Sequence, residues 1–128
     1  MEKVRMGFIG CGGIANGKHL PAQKRNPVAE MVAFCDVIEE RAQKACKEYG
    51  APGAKVYTDY RELLKDKSID AVFVLTPNCS HCEIAVAALE AGKHVMCEKP
   101  MAMNYAEAKK IIAARDKSGK VLTIGYQN

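Results

Sequence analysis

VRMGFIGCGGIA, residues 4–15, decides how the rest of the chain is read. Val4–Ile9 is a short apolar run broken only by Arg5, and a glycine-rich turn follows at once. A strand that ends on Gly10 and passes through Gly12 into a helix has a particular use. Gly10 permits the tight turn, and Gly12 lets the backbone approach a pyrophosphate with no Cβ in the way. Ala15 stands where a third small residue keeps the helix close to the sheet. The helix N-terminus then offers N–H groups and a partial positive charge to phosphates. The glycine pattern is weak alone and takes its meaning from the strand before it and the helix after it.

The next informative residue is Asp36. It closes the run Met31–Cys35, 21 positions after Ala15. An acid there accepts hydrogen bonds from an adenosine ribose and repels a 2′-phosphate, which favours NAD over NADP. Val37-Ile38-Glu39-Glu40 holds no base. Arg41 follows, and it is the cation that can fold back toward a 2′-phosphate. The plainer alternative makes Gly10 and Gly12 a mere turn and Asp36 a helix cap.

Outward from this unit, apolar runs alternate with amphipathic stretches. Further strands are predicted over Val56-Tyr57, Ala71–Leu75, His94–Cys97 and Val121–Ile124. Runs apolar throughout imply burial on both faces. Between them, apolar residues at steps of three and four predict helices over Glu39–Tyr49, Tyr60–Leu64, Glu83–Ala91 and Tyr105–Lys117. Asp59 and Asn104 are the expected N-caps, Glu107 completes a variant capping box, and Gly50, Gly92 and Ser118-Gly119 supply stops. Gly17 and Pro21 interrupt the first crossover. A short helix over Gly13–Gly17, a break and a second short helix from about Pro21 are expected. The fold class is α/β, a doubly wound parallel sheet of about six strands in a Rossmann-type three-layer sandwich with right-handed crossovers.

The 128 residues suit one domain, and the 48% apolar and 27% charged fractions are those of a globular chain. No apolar run reaches the ~18 residues of a membrane span, and MEKVRMGFIG does not read as a secretory signal. A cytoplasmic location is expected, with no membrane partner. The net charge is +4, but bases and acids are interspersed, so no nucleic-acid partner is expected. The six cysteines, at 11, 35, 46, 79, 82 and 97, suggest no disulfide framework in such a compartment. Cys79-Ser80-His81-Cys82 lacks the second ligand pair of a zinc site, and no metal is expected. A redox pair at a helix start is the remaining alternative for Cys79 and Cys82.

Gly10-Cys11-Gly12-Gly13-Ile14-Ala15, Thr76-Pro77-Asn78, Glu98-Lys99-Pro100 and Gly125-Tyr126-Gln127-Asn128 occur in this order and spacing. Together they resemble the N-terminal domain of the glucose–fructose oxidoreductase/inositol dehydrogenase/rhizopine catabolism (Gfo/Idh/MocA) family. The resemblance covers nearly all of the chain. It implies an NAD(P)-dependent dehydrogenase of sugars, cyclitols or related polyols. It also implies that residues 1–128 form the dinucleotide-binding domain, and that the family's C-terminal substrate domain, which supplies an Asp and a His to catalysis, is absent from this chain. The isolated domain is then expected to bind cofactor without turnover. A homo-oligomeric full-length protein and a monomeric fragment are expected.

The resemblance assigns roles residue by residue. Lys99 points at the nicotinamide and the reacting carbon, where an ammonium stabilises alkoxide character or relays the hydroxyl proton. Glu98 orients Lys99 or contacts the nicotinamide ribose. Gly10, Gly12, Gly13 and Ile14 hold the pyrophosphate, and Thr76, Pro77 and Asn78 line the adenosine diphosphate and ribose. His81 and Gln127 lie toward the nicotinamide end. A lone His at a helix start is more often a cap, and a Glu-Lys pair is more often a solvated surface pair. The competing function is a non-catalytic NAD(H)-binding or redox-sensing module, which needs Gly10, Gly12 and Asp36 but has no use for Lys99.

Overall fold

A computed structural model describes residues 3–12, 20–76, 81–98 and 105–125 of the chain. The described residues form strands β1 (Val4–Ile9), β2 (Ala29–Cys35), β3 (Lys55–Tyr57), β4 (Ala71–Val74), β5 (His94–Glu98) and β6 (Leu122–Gly125). They also form helices α1 (Leu20–Lys24), α2 (Glu39–Tyr49), α3 (Tyr60–Leu64), α4 (His81–Glu90) and α5 (Tyr105–Ser118). The strands make a six-stranded sheet in the order β3-β2-β1-β4-β5-β6, with every pairing parallel. This is the doubly wound Rossmann arrangement expected from the apolar runs. The strand order reverses between β1 and β4, where such sheets bind ligands at their carboxyl ends.

The central strands feed both faces. Along β1, Phe8 joins one buried cluster with Leu20, Phe34, Ala42, Ala45 and Phe73. Its neighbour Ile9 joins the other, with Leu63, Val72, Val74, Leu89 and Ile111. Alternating side chains thus reach two helix layers, which is why these runs read as continuously apolar. On the first face Phe8 stacks on Phe34 and Phe73, with ring centroids 5.6 and 4.9 Å apart. On the second, Leu63 of α3 presses on Gly7, where an added Cβ would lie 3.1 Å from Leu63 Cδ2.

Local chemistry sets the helix ends. Asp59 caps α3 as expected, its side chain accepting from the Arg61 amide at 2.9 Å. Lys93 is 4% exposed, and its ammonium donates to the Asp66 carbonyl at 2.7 Å, just past the end of α3. Gly50 stops α2, but with φ −68° and ψ 145° rather than in the left-handed turn expected of a helix-ending glycine. Space selects it instead: a Cβ there would sit 2.5 Å from the Cys46 carbonyl oxygen. The second short helix of the first crossover is present and starts at Leu20, so Pro21 falls in its first turn, where a missing N–H costs nothing. The first short helix and the Asn104 cap lie outside the described residues.

The remaining boundaries move by one or two residues. β2 begins at Ala29, α4 begins at His81 rather than Glu83, and β6 ends at Gly125. Among the described residues, no helix is long and apolar enough to cross a membrane.

Candidate functional site

The glycine turn is built against the end of β4. Gly10 has φ 102°, and a Cβ on it would lie 2.7 Å from the Leu75 carbonyl carbon and 2.8 Å from the Thr76 nitrogen. Both the dihedral and the space therefore require glycine. Its N–H donates to the Cys35 carbonyl at 2.7 Å, and the Leu75 N–H donates to Ile9 at 2.8 Å, so the ends of β1, β2 and β4 are laced together.

Gly12 differs. Among the described residues, the atom nearest to a Cβ added there is Arg41 Nη1, at 3.8 Å. Packing among the described residues does not demand this glycine. Without a side chain, its backbone borders a pocket, the feature a closely approaching phosphate group needs.

Asp36 is buried, 9% exposed, at the end of β2. Oδ2 accepts from the Cys11 amide and Oδ1 from the Ile38 amide, each at 2.9 Å. The carboxylate thus ties the turn after β1 to the turn before α2. It is not the N-cap of α2, a place held by Ile38 with no side-chain cap. A carboxylate has about four lone-pair positions, so each oxygen keeps acceptor capacity beyond these two bonds.

These residues line a pocket of about 780 Å³ at the carboxyl ends of β1, β2 and β4. That volume is in the range of small-molecule and cofactor sites. Ile9, Gly10, Gly12, Asp36 and Thr76 line it along the sheet edge. Its other wall is made by Thr58, just past β3, by Tyr60 and Arg61 at the start of α3, and by Glu83 and Ile84 in the first turn of α4. Val37 borders it with 87% of its surface exposed. The Tyr60 hydroxyl donates to Glu83 Oε1 at 2.9 Å, and Arg61 Nη2 donates to the same oxygen at 3.3 Å. Burial, then the hydrogen bond to Glu83, raises the Tyr60 pKa.

Of the expected site residues, Gly10, Gly12, Asp36 and Thr76 are brought together here. Gly13, Ile14, Pro77, Asn78, Lys99 and Gln127 lie outside the described residues, as do the side chains of His81 and Glu98. The backbone carries His81 to the start of α4 and Glu98 to the end of β5, where it pairs with Gly125. Sequence reasoning missed Thr58, Tyr60, Arg61 and Glu83. The available signal was their position: each directly follows a strand or opens the helix after one, and such residues gather at the carboxyl edge of a parallel sheet.

Among the described thiols, Cys11, Cys35 and Cys82 are held in the protonated form. Burial, followed by the charge of Asp36, pushes Cys11 and Cys35 up to about 12. Cys82 is also raised by burial, and its thiol contacts the Glu107 carbonyl at 3.6 Å. A reactive cysteine needs the opposite shift. Cys79, its expected redox partner, lies outside the described residues. Among the described residues no disulfide forms, and no three His, Cys, Asp or Glu side chains cluster as metal ligands.

Comparison with known proteins agrees with this geometry. Residues 4–126 match the Gfo/Idh/MocA model, described as an oxidoreductase family with an NAD-binding Rossmann fold. Inositol 2-dehydrogenase of Salmonella typhimurium is 40% identical over 126 residues, spanning 96% of this chain and 37% of the relative. D-glucoside 3-dehydrogenase of Escherichia coli is 37% identical, spanning 98% of this chain and 35% of its own. Among solved structures, the 3-ketoreductase KijD10 of Actinomadura kijaniata, in complex with NADP and TDP-benzene, superposes with TM-score 0.90 at 32% identity, over 97% of this chain and 37% of that one. The WlbA dehydrogenase of Bordetella pertussis, in complex with NADH and UDP-GlcNAcA, gives 0.88 at 32% identity, over 97% and 35%. The chain thus spans little more than a third of the length of these relatives. A parallel sheet in the order β3-β2-β1-β4-β5-β6, a glycine turn held by a strand-terminal acid, and a family match over nearly all of its length leave one assignment: the chain belongs to the Gfo/Idh/MocA oxidoreductase family and carries its NAD-binding Rossmann fold.

Proposed function

We propose that this chain is the dinucleotide-binding domain of an NAD(P)-dependent dehydrogenase that acts on a CH–OH group of a sugar, cyclitol or related polyol. The observation that carries the reading is the Asp36 carboxylate, buried at the end of β2, held by two backbone amides and lining the same pocket as Gly12. In this reading Gly10, Gly12, Gly13 and Ile14 receive the pyrophosphate. Asp36 accepts from the ribose hydroxyls, and Thr76, Pro77 and Asn78 flank the adenosine diphosphate. His81, Glu98 and Gln127 serve the nicotinamide end. Bound nicotinamide supplies the hydride acceptor or donor. Lys99, one residue past β5, is the catalytic residue, holding the substrate hydroxyl and stabilising negative charge on its oxygen.

NAD is the preferred cofactor in this proposal, since a 2′-phosphate would face the Asp36 carboxylate. One observation favours NADP as a second reading: the Arg41 guanidinium stands 3.8 Å from the Cβ position of Gly12, at the mouth of the same pocket. The relatives point both ways, since KijD10 was solved with NADP and WlbA with NADH. The proposal extends to a cytoplasmic location, a substrate pocket formed by a further domain, and a chain that binds cofactor without turning substrate over. It also includes a homo-oligomeric full-length protein whose isolated dinucleotide domain is monomeric.

Calorimetric titration with NADH and NADPH tests it. Tighter NADH binding, weakened by Asp36→Ala, is the expected result. Tighter NADPH binding, lost on Arg41→Ala, would overturn the cofactor choice. Binding of neither would overturn the dinucleotide reading for this chain.

A further inference from the structure

A dinucleotide bound as proposed above leaves the α3 and α4 wall of the pocket without a task, and a role for that wall rests on that mode of binding. With the pyrophosphate against Gly12 and the ribose on Asp36, the base extends outward past Val37, toward the first turns of α3 and α4. The pocket changes character there. Val37 is apolar yet 87% exposed. In the first turn of α4, Glu83 lines the pocket, and its Oε1 is held twice, by the Tyr60 hydroxyl at 2.9 Å and Arg61 Nη2 at 3.3 Å. Oε2 receives no hydrogen bond from any described residue. Arg61 is itself steadied by Asp59, 3.7 Å from Nη1, and its guanidinium lies 5.0 Å over the Tyr60 ring. A carboxylate with one oxygen doubly anchored presents the other in a fixed direction, and an ionised carboxylate can only accept.

We propose that Glu83 reads the base of the dinucleotide: Oε2 accepts from the exocyclic amine of adenine, Val37 covers the ring, and Tyr60 and Arg61 are positioning residues for Glu83. The selection is between an amino and an oxo group at one ring position. Adenine offers N–H there. Hypoxanthine offers an oxygen, which would face the carboxylate lone pair to lone pair. The Glu83 side chain is 67% exposed, so water competes and the discrimination is modest, about fivefold rather than the full value of a buried charged hydrogen bond.

The test is calorimetric titration of the chain with NADH and with reduced nicotinamide hypoxanthine dinucleotide, on wild type, Glu83→Gln, Tyr60→Phe and Asp36→Ala. Wild type should prefer the adenine form by about fivefold. Glu83→Gln should bring the ratio close to one, because an amide can donate to the hypoxanthine oxygen. Tyr60→Phe should narrow the ratio while circular dichroism shows an unchanged fold. Equal binding of both dinucleotides to wild type, with NADH still weakened by Asp36→Ala, would overturn the proposal and leave the cofactor site standing. A preference that Glu83→Gln does not alter would overturn it likewise. Failure of both dinucleotides to bind wild type would overturn the underlying reading together with the proposal.

Discussion

The Cys11 amide donates to Asp36 Oδ2 at 2.9 Å, so the turn after β1 and the end of β2 form one hydrogen-bonded unit. The same carboxylate accepts from Ile38 through its other oxygen. Asp36→Ala therefore removes two acceptors from largely buried backbone and should lower unfolding stability by about 2 kcal/mol. Urea denaturation should show a lower midpoint at unchanged slope. Asp36→Asn can satisfy one amide but turns an N–H toward the other, so it should fall between the two. A midpoint unchanged in Asp36→Ala would show that water replaces the carboxylate fully.

The two glycines of the turn should separate in a second experiment. Gly10→Ala combines a φ of 102° with a Cβ 2.7 Å from backbone, and should cost about 3 kcal/mol of stability. Gly12→Ala meets, among the described residues, nothing nearer than the Arg41 side chain at 3.8 Å. Its melting temperature should hold within a few degrees, corresponding to less than about 1 kcal/mol, while NADH binding weakens by at least about tenfold. Equal stability losses in both variants would contradict the contrast.

The buried thiols give a pH dependence of definite sign. Cys11 and Cys35 rise from an ordinary 9.0 to about 12, burial being the main cause. In the unfolded chain they lose protons near 9, and in the fold they keep them to about 12. Their contribution is complete below pH 9 and is lost as pH climbs from 9 toward 12. Stability should fall across that window, and a Cys11→Ala/Cys35→Ala chain should fall less steeply. Thiol labelling at pH 8 should find both cysteines slow until denaturant is added.

Lys93 should prove structural. Its ammonium, nearly enclosed, bonds the Asp66 carbonyl at 2.7 Å. Burial lowers its pKa, so the fold disfavours its charged form, and that cost is relieved as pH rises toward 10.5. Lys93→Met keeps the stem packed, removes the buried charge and loses one hydrogen bond. A loss under about 1 kcal/mol at pH 7 is expected in urea titrations. The gap should widen as pH rises toward 10.5, where only the wild type sheds the cost of its charge.

What the sequence disclosed is what is local. Phe8-Ile9 and Val72-Phe73-Val74 announced strands because burial on two faces leaves no polar alternation. Asp59 announced a helix because a cap acts within three residues. Asp36 was legible as the strand-terminal acid beside the glycine turn because its distance from that turn is fixed by one βαβ unit. The Tyr60–Glu83 bond was not legible, since it spans 23 residues and exists only once α3 and α4 stand side by side above the sheet edge. The burial of Lys93 was not legible either, because nothing local reports that the Asp66 carbonyl past α3 accepts from its ammonium. Gly50 showed where α2 stops and concealed how, since a steric notch and a left-handed turn select the same residue.

The notch at Gly7 carries a consequence for descent. α3 has five residues, too few to hold a helix by itself, and Leu63 seats it against the bare backbone of β1. A wall pinned in this way resists insertion and drift in ways an ordinary loop does not. Divergence among descendants of this chain at the α3 and α4 side of the pocket should therefore run through side-chain exchange at Tyr60, Arg61 and Glu83, while the span from Asp59 to Leu64 keeps its length.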